Sequence, residues 1–340
     1  MQPFSTAELA WLAVASKQLG FLDMRPVALG PEPGFTAFSQ WLAAGHHGRL
    51  DYMERHPELR ADSSRLGQNL LSALVFLAPC RSEWHSLHVA RYARSKLDYH
   101  TELRFKLQEL SAAFQKTWRV IQHDRICIDT APLLERSLAE RSGLGWIGKN
   151  GCLISRQHGS FTLLANWLVS IPHENKTIPH AFHCGTCTRC LNACPTDAFV
   201  APGMLAADRC LSTQTIENRS LIEPHFHEHM KSMVFGCDIC QDVCPWNRRH
   251  PPVAAVEALP PLHELLELSE PEFRSYFRGK ALQRPGWHGL RRNFLIAAGW
   301  DDSVASSLFT RHLYHSNSVV RKTARQILER RRKIRALAGS

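Results

Sequence analysis

Four cysteines, Cys184, Cys187, Cys190 and Cys194, the last followed by Pro195, set the spacing C-x2-C-x2-C-x3-C-P. Thiolates at this spacing hold cubane 4Fe–4S clusters, whose chemistry is the movement of single electrons. A second group, Cys237, Cys240 and Cys244, again ends in proline, Pro245. In two-cluster ferredoxins the fourth cysteine of each run ligates the other cluster. On that rule Cys184, Cys187, Cys190 and Cys244 form one site, while Cys194, Cys237 and Cys240 lack a fourth ligand. The position that would normally supply it holds Val234, and the nearest unassigned thiol upstream is Cys210. The second site is therefore expected to be Cys194, Cys210, Cys237 and Cys240. Zinc also uses C-x2-C pairs, but a zinc knuckle has no use for three cysteines in C-x2-C-x2-C order or for the terminal Cys-Pro. The remaining thiols, Cys80, Cys127 and Cys152, lie in apolar surroundings and are expected to be buried and inert.

The elements that must position these thiols are spread over 340 residues, a length suited to two or three domains. No signal-peptide pattern and no bilayer-spanning apolar run is evident. With eleven cysteines and oxygen-labile clusters, a cytoplasmic monomer without membrane attachment is expected. The net charge of +10 is concentrated at one end: residues 271–340 hold fifteen Lys/Arg against four Asp/Glu. Such a tail suits a polyanionic partner, or is simply the solvated face of a helix.

Residues 1–60 read as helical and end in HHGRLDYMERHPELR (46–60). Apolar runs at 73–79 and 125–129 read as buried strands. Between them Leu103, Leu107, Leu110, Phe114, Trp118 and Ile121 recur at steps of three and four, the pattern of one amphipathic helix with its aromatics in the core. A helix is expected over 133–141 and further strand over 152–170. This alternation gives a layered α/β or α+β domain over 1–172. The cysteine module follows over 173–250. Segments 274–279, 288–298, 304–314 and 319–335 then resemble the paired helices of a small HEAT-like array over 251–340.

Two further motifs stay open on the residues alone. GLGWIGKNG (143–151) departs from the phosphate-binding loop, with Asn150 where Ser or Thr belongs, and lacks the G-x-G-x-x-G order of a dinucleotide fold. It is a phosphate nest or a plain tight turn, the turn being favoured. Asp129 ends an apolar strand just before Thr130-Ala131-Pro132. It is a helix-entry residue, or a half-desolvated carboxyl with a pKa raised enough to donate a proton; the residues alone favour helix entry.

Taken in order, HHGRLDYMERH, ICIDTAPLLER, GLGWIGKNG, CGTCTRCLNACPTDAF and CDICQDVCPWN resemble the epoxyqueuosine reductase family along nearly the whole chain. The resemblance implies a cobalamin-dependent (vitamin B12) iron–sulfur oxidoreductase of tRNA modification. It would be an α+β multidomain protein with a corrinoid-binding domain, a ferredoxin-like two-cluster module and a basic tRNA-binding helical domain. Two 4Fe–4S clusters would reduce the corrinoid to cob(I)alamin, and the epoxide oxygen of epoxyqueuosine would leave from the wobble nucleoside to give queuosine. The resemblance makes Asp129 the proton donor, reversing the preference for helix entry; general acid catalysis of this kind contributes about 10²–10⁴ in rate. It also implies Arg60, Tyr92, Asp129, Ile154 and Asp238 as cobalamin-pocket residues. Arg284, Arg291, Arg292 and the run from Arg330, Arg331 and Arg332 to Arg335 would then contact phosphates of the anticodon stem-loop. An electron donor is required as a further partner.

The D-x-H-x-x-G signature of a His-ligated corrinoid starts at Asp98-Tyr99-His100 but has Leu103 in place of glycine, consistent with a family that binds cobalamin without that ligand. The chain departs from the family in RYARSKLDYH (91–100), at Asn166 where an acidic residue is usual, and at Gln214 in STQTIE. Two rival readings are a corrinoid iron–sulfur reductase of a small molecule, like reductive dehalogenases, and a ferredoxin-like carrier with a nucleic-acid-binding tail.

Overall fold

The computed structural model describes residues 2–80, 87–174, 180–248 and 259–338. Its first layer is a four-stranded antiparallel sheet built from β1 (Asp23–Ala28), β2 (Ser72–Pro79), β3 (Asp124–Cys127) and β4 (Thr162–Val169), in the spatial order β1-β2-β4-β3. The register runs Ser72 opposite Val169 to Pro79 opposite Thr162, and Cys127 lies opposite Asn166. Successive side chains of a strand point to opposite faces, and both faces of β2 are covered. Leu74, Phe76 and Ala78 pack with Leu12, Leu107, Phe114 and Trp167 on one side. Ala73, Val75 and Leu77 pack with Leu133, Leu138 and Leu144 on the other. Double coverage is why this segment reads as a continuous apolar run.

Residues 1–60 are not uniformly helical. A helix at Thr6–Gln18 is followed by β1 and then by helices at Phe35–Ala43 and Pro57–Ala61. β1 contains Pro26, which a sheet tolerates at the edge position this strand occupies. The amphipathic helix spans Tyr99–Thr117, capped by Asp98, with Leu103, Leu107, Leu110 and Phe114 buried. Trp118 lies past its end and is 41% exposed, so it is not a core residue. The stretch expected as strand over 152–170 divides into Leu153–Ile154 and β4, because Ser155 and Gly159 close a tight turn between them.

After the second cysteine run the chain is helical: Leu262–Glu267, Glu270–Tyr276, Gly286–Ala298, Ser306–His312 and Ser318–Ala338. These helices share one core with Leu211, Ile216, Phe226, Val234 and Phe235, which lie between the cysteine runs. His88–Val89, from the first layer's side of the chain, pairs in parallel with Met233–Phe235.

Three of the arginines expected at tRNA phosphates belong to this core. Arg292, fully buried, donates to the carbonyls of Asn218 (2.8 Å), Ser220 (2.6 Å) and Gln214 (3.0 Å). Arg291 donates to Leu266 O at 3.0 Å and lies 3.9 Å over the Trp287 ring. Arg331 donates to Val304 O at 2.7 Å and Asp301 O at 2.8 Å. Carbonyls of loops and helix ends that are buried need donors, and the guanidinium fork supplies several from one side chain. These three arginines therefore join elements and do not present phosphate-binding surface.

Candidate active site and iron–sulfur thiols

The two cysteine runs fold as matching short helices, Arg189–Asn192 and Ile239–Asp242, which pack on one another and bring distant thiols close. Burial raises the Cys244 thiol pKa, and neighbouring Cys184, Cys190 and Cys187 add to the shift. Burial pushes Cys237 up to about 12, with Cys210 and Cys194 among its neighbours. Cys240 is raised by burial beside Cys152, Cys237 and Cys210. Cys244 is thus influenced by Cys184, Cys187 and Cys190, and Cys237 by Cys210 and Cys194, as the two expected sets require, while Cys240 feels Cys152 and Cys190 as well as Cys237 and Cys210. Two all-thiol sets of four fit two cubane clusters by the chemistry of their donors; binding iron would release the protons that burial retains. The Ala198 N–H donates to Cys194 Sγ at 3.3 Å, a bond of the kind that tunes such clusters.

The three leftover thiols differ from one another. Cys127 is buried on the Leu138 side of the sheet, as expected for an inert core thiol. Cys80 is half-buried. Cys152 is pushed up to about 11 by burial and has Cys244 and Cys190 among its neighbours, so it borders the cluster thiols.

Asp129 lies just past β3 with a side chain 66% exposed. Its backbone is left-handed (φ 56°) and forms a three-residue turn, the Thr130 N–H donating to Ile128 O at 2.6 Å. The turn is held from behind: Glu135 Oε1 accepts the Asp129 N–H at 3.0 Å and Asn166 Nδ2 at 2.8 Å. Burial pushes the Glu135 carboxyl up to about 8, with the Asp129 charge adding to the shift. In front, Tyr99 donates its hydroxyl to Asp129 Oδ2 at 2.9 Å, and His100 Nε2 stands 3.6 Å from the same oxygen. His100 Nδ1 lies 2.6 Å from Asp98 Oδ1, and the Tyr99 and His100 rings stack at 4.0 Å.

This setting corrects the raised pKa expected for Asp129. The His100 contact lowers it, more than burial raises it, and Tyr99 lowers it further. Burial lowers His100, but bonding to Asp129 and Asp98 outweighs that and raises it above the ordinary 6.5. The proton of the pair therefore rests on the imidazole. Around them stand Tyr92, edge-on to Tyr99 at 5.7 Å, and Arg284, doubly bonded to Glu217 at 3.0 and 3.3 Å and 6.0 Å over the Tyr52 ring. Burial raises the Tyr52 phenol, and the Glu217 and Asp129 carboxylates add to it.

Of the expected pocket residues, Tyr92 and Asp129 lie together at this site. Arg60 is buried and 5.5 Å from the Phe38 ring centre. Ile154 is 1% exposed and packs with Trp146 and Cys244, so its side chain lines no open cleft. Asp238 is buried, accepts the Arg91 N–H at 2.9 Å, and is pushed up to about 6 by burial. Gln214 is buried too, its amide accepting from Asn218 Nδ2 at 2.7 Å and donating to Asp208 O, so it shapes no cleft. The residues that partner Asp129 carried sequence signals: Tyr99 and His100 stand in the broken D-x-H-x-x-G pattern, and Glu135 in DTAPLLER. The HHGRLDYMERH segment docks onto the cysteine module, His46 O accepting the Ala207 N–H at 2.7 Å and Arg49 Nε donating to Asp208 Oδ1 at 2.8 Å. Gly48 has a left-handed backbone (φ 54°), and a Cβ there would stand 2.4 Å from Asp208 Cγ and displace that side chain.

An α+β sheet domain joined to a double-cluster thiol module, with a carboxylate–imidazole–phenol set on an open face, defines an iron–sulfur protein built for electron-driven chemistry. The 4Fe-4S double cluster binding domain family matches residues 183–247. An epoxyqueuosine reductase of Cyclobacterium marinum is 37% identical over 265 residues, covering 74% of this chain and 84% of that protein. An epoxyqueuosine reductase solved with a tRNA-Tyr epoxyqueuosine-modified stem loop matches with a TM-score of 0.82 at 27% identity, over 93% of this chain and 88% of that one. A Bacillus subtilis epoxyqueuosine reductase whose catalytic aspartate loop is swung out of the active site matches at 0.80 and 26% identity, over the same shares. The chain belongs to the epoxyqueuosine reductase family.

Proposed function

We propose that this protein reduces epoxyqueuosine to queuosine at the wobble position of tRNA. Two electrons and two protons convert the epoxide into a ring double bond and one water. The observation that carries this reading is the meeting of Asp129, Tyr99 and His100 on an open face of a chain that also carries the double-cluster cysteine module. The double-cluster module would deliver electrons one at a time from a soluble donor.

Cobalamin follows from family membership, and the residues present fit it. Tyr52, Tyr92 and Tyr99 offer flat apolar rings, and Glu217, Arg284 and Asp129 offer hydrogen-bonding groups for a macrocycle with amide arms. Leu103, at the glycine position of the broken signature, is a core residue, so no histidine loop forms there. A bound, reduced corrinoid supplies a strong nucleophile toward the epoxide carbon. The chain's own part is proton supply. His100 holds the proton at rest, and Asp129 passes it to the leaving oxygen; a substrate covering this face would desolvate Asp129 and favour its protonated form. Tyr99 fixes the carboxylate's orientation.

The roles divide along the chain as 1–172 for the corrinoid and catalysis, 173–250 for the clusters, and 251–340, a HEAT-like helical region, for tRNA. Arg332, with Lys322, Arg325, Lys333 and Arg335, supplies exposed positive charge for phosphates, while Arg284 is paired with Glu217. Arg330 contributes less, being drawn to the Trp300 ring at 3.7 Å and to Gly299 O. Among the described residues no helix is long and apolar enough to cross a membrane, and a cytoplasmic monomer suits this work. The test is nucleoside mass spectrometry after an anaerobic reaction of reconstituted protein, cobalamin, a strong reductant and tRNA carrying epoxyqueuosine. Cobalamin-dependent queuosine is the expected product; none from fully loaded protein overturns the reading.

A further inference from the structure

GLGWIGKNG reads as a phosphate nest or a tight turn, and in the structure it is a turn whose lysine faces the first cysteine run. Trp146–Ile147 and Leu153–Ile154 pair as a hairpin. Its loop is closed by the Gly148 N–H to Cys152 O (2.9 Å), the Gly151 N–H to Gly148 O (2.8 Å) and Asn150 Oδ1 accepting from the Cys152 N–H (3.2 Å). Gly145 is required here, since a Cβ would stand 2.2 Å from Ile154 O. This rigid loop carries Lys149 at its tip. Lys149 Nζ donates to Gly185 O at 2.7 Å and to Cys187 O at 3.0 Å, both inside the first cysteine run. Lys149 O accepts the Gly203 N–H at 2.8 Å, from the hairpin that follows that run. Trp146, under the same loop, packs with Cys184 and Cys244. Both contacts of the Lys149 ammonium are therefore to neutral backbone carbonyls of the cysteine run.

We propose that Lys149 is a positioning and redox-tuning residue for the cluster held by Cys184, Cys187, Cys190 and Cys244. It fixes the loop that presents two of these thiols and places a positive charge beside them. The inference rests on that thiol assignment but not on the substrate. A [4Fe–4S] centre gains one negative charge on one-electron reduction, here from a low-potential chemical reductant, and no bond or proton moves. A neighbouring cation stabilises the reduced form and raises the potential; net charge and hydrogen bonding around the ligands are the protein's established means of setting it. Arginine should substitute in part. A neutral side chain should not.

The experiment is an anaerobic EPR-monitored potentiometric titration of the full-length reconstituted protein as wild type, Lys149→Arg, Lys149→Met and Lys149→Gln, with iron and sulfide measured on each. With iron content unchanged, one of the two reduction waves should move to lower potential in the Met and Gln variants and stay near its wild-type position in the Arg variant. Unmoved waves in either iron-replete neutral variant overturn the tuning role. So does loss of iron from both neutral variants, which would make Lys149 a structural clamp only. Wild-type protein that takes up fewer than two clusters would instead refute the thiol assignment, a separate failure visible before any titration.

Discussion

Asp129 occupies a left-handed turn that a non-glycine residue adopts only at a cost of about 1–3 kcal/mol. Glu135 behind it and Tyr99 and His100 in front hold it there. With Asp129 lowered by His100 and Tyr99, and His100 raised, against its burial, by its two carboxylates, a proton shared by the pair sits on the imidazole and not on the carboxylate. Asp129→Asn should therefore keep both clusters and tRNA affinity while kcat falls by about 10²–10⁴; single-turnover kinetics with iron analysis checks this. His100 is protonated below a pKa that lies above 6.5, so activity should fall as pH rises through that value. In His100→Gln that alkaline limb should vanish from the kcat profile, with the remaining activity low throughout. At this scale the cysteines were the most legible residues, because ligand spacing within one run is a local property of the chain. Cys210 needed an inference across 27 residues to Cys237. The partners of Asp129 stand in quoted motifs, but their pairing with it was not legible, because Tyr99 and His100 come from the start of one helix and Glu135 from the start of another, and they meet only in the fold.

At the scale of elements, the basic tail shows what composition cannot separate. Its arginines divide into buried ones that serve carbonyls and exposed ones on the Ser318–Ala338 helix. Both sorts count equally in a charge tally; only packing tells them apart. Arg292→Ala should strip donors from the buried Asn218 and Gln214 carbonyls and from Ser220 O, and lower stability by about 2–3 kcal/mol, seen as a lower denaturation midpoint. The double variant Arg332→Ala/Lys333→Ala should leave that midpoint unchanged and weaken tRNA binding. Its log K against log salt slope should flatten by about one unit for each phosphate no longer neutralised. An unchanged slope would remove this helix from the tRNA surface. β2 and the Tyr99–Thr117 helix could be read from apolar runs and periodicity. The short edge strand β1 could not, since it pairs with a single neighbour and contains a proline.

Across the whole molecule, the order of functions along the chain and the order of hydrophobic cores do not coincide. The sheet has its own two cores, one on each face. The C-terminal helices have none to themselves: Phe273, Phe294 and Ile327 pack in one cluster with Leu211, Val234 and Phe235, which flank Cys210 and Cys237. Asn293 adds polar ties, its Nδ2 donating to Thr215 O at 2.7 Å and Val234 O at 2.9 Å. The tail is therefore part of the scaffold that sets the second group of thiols, besides offering positive surface. Deleting residues 259–340 should cost more than tRNA affinity. Iron content after anaerobic reconstitution should fall from about eight per chain toward about four, with Cys194, Cys210, Cys237 and Cys240 the set that no longer assembles. A truncated protein that still takes up its full iron would show that the region between the cysteine runs holds its shape without the helices. The shared core would then be an interface between finished domains. The loss expected here instead makes electron delivery and tRNA binding depend on one packed unit.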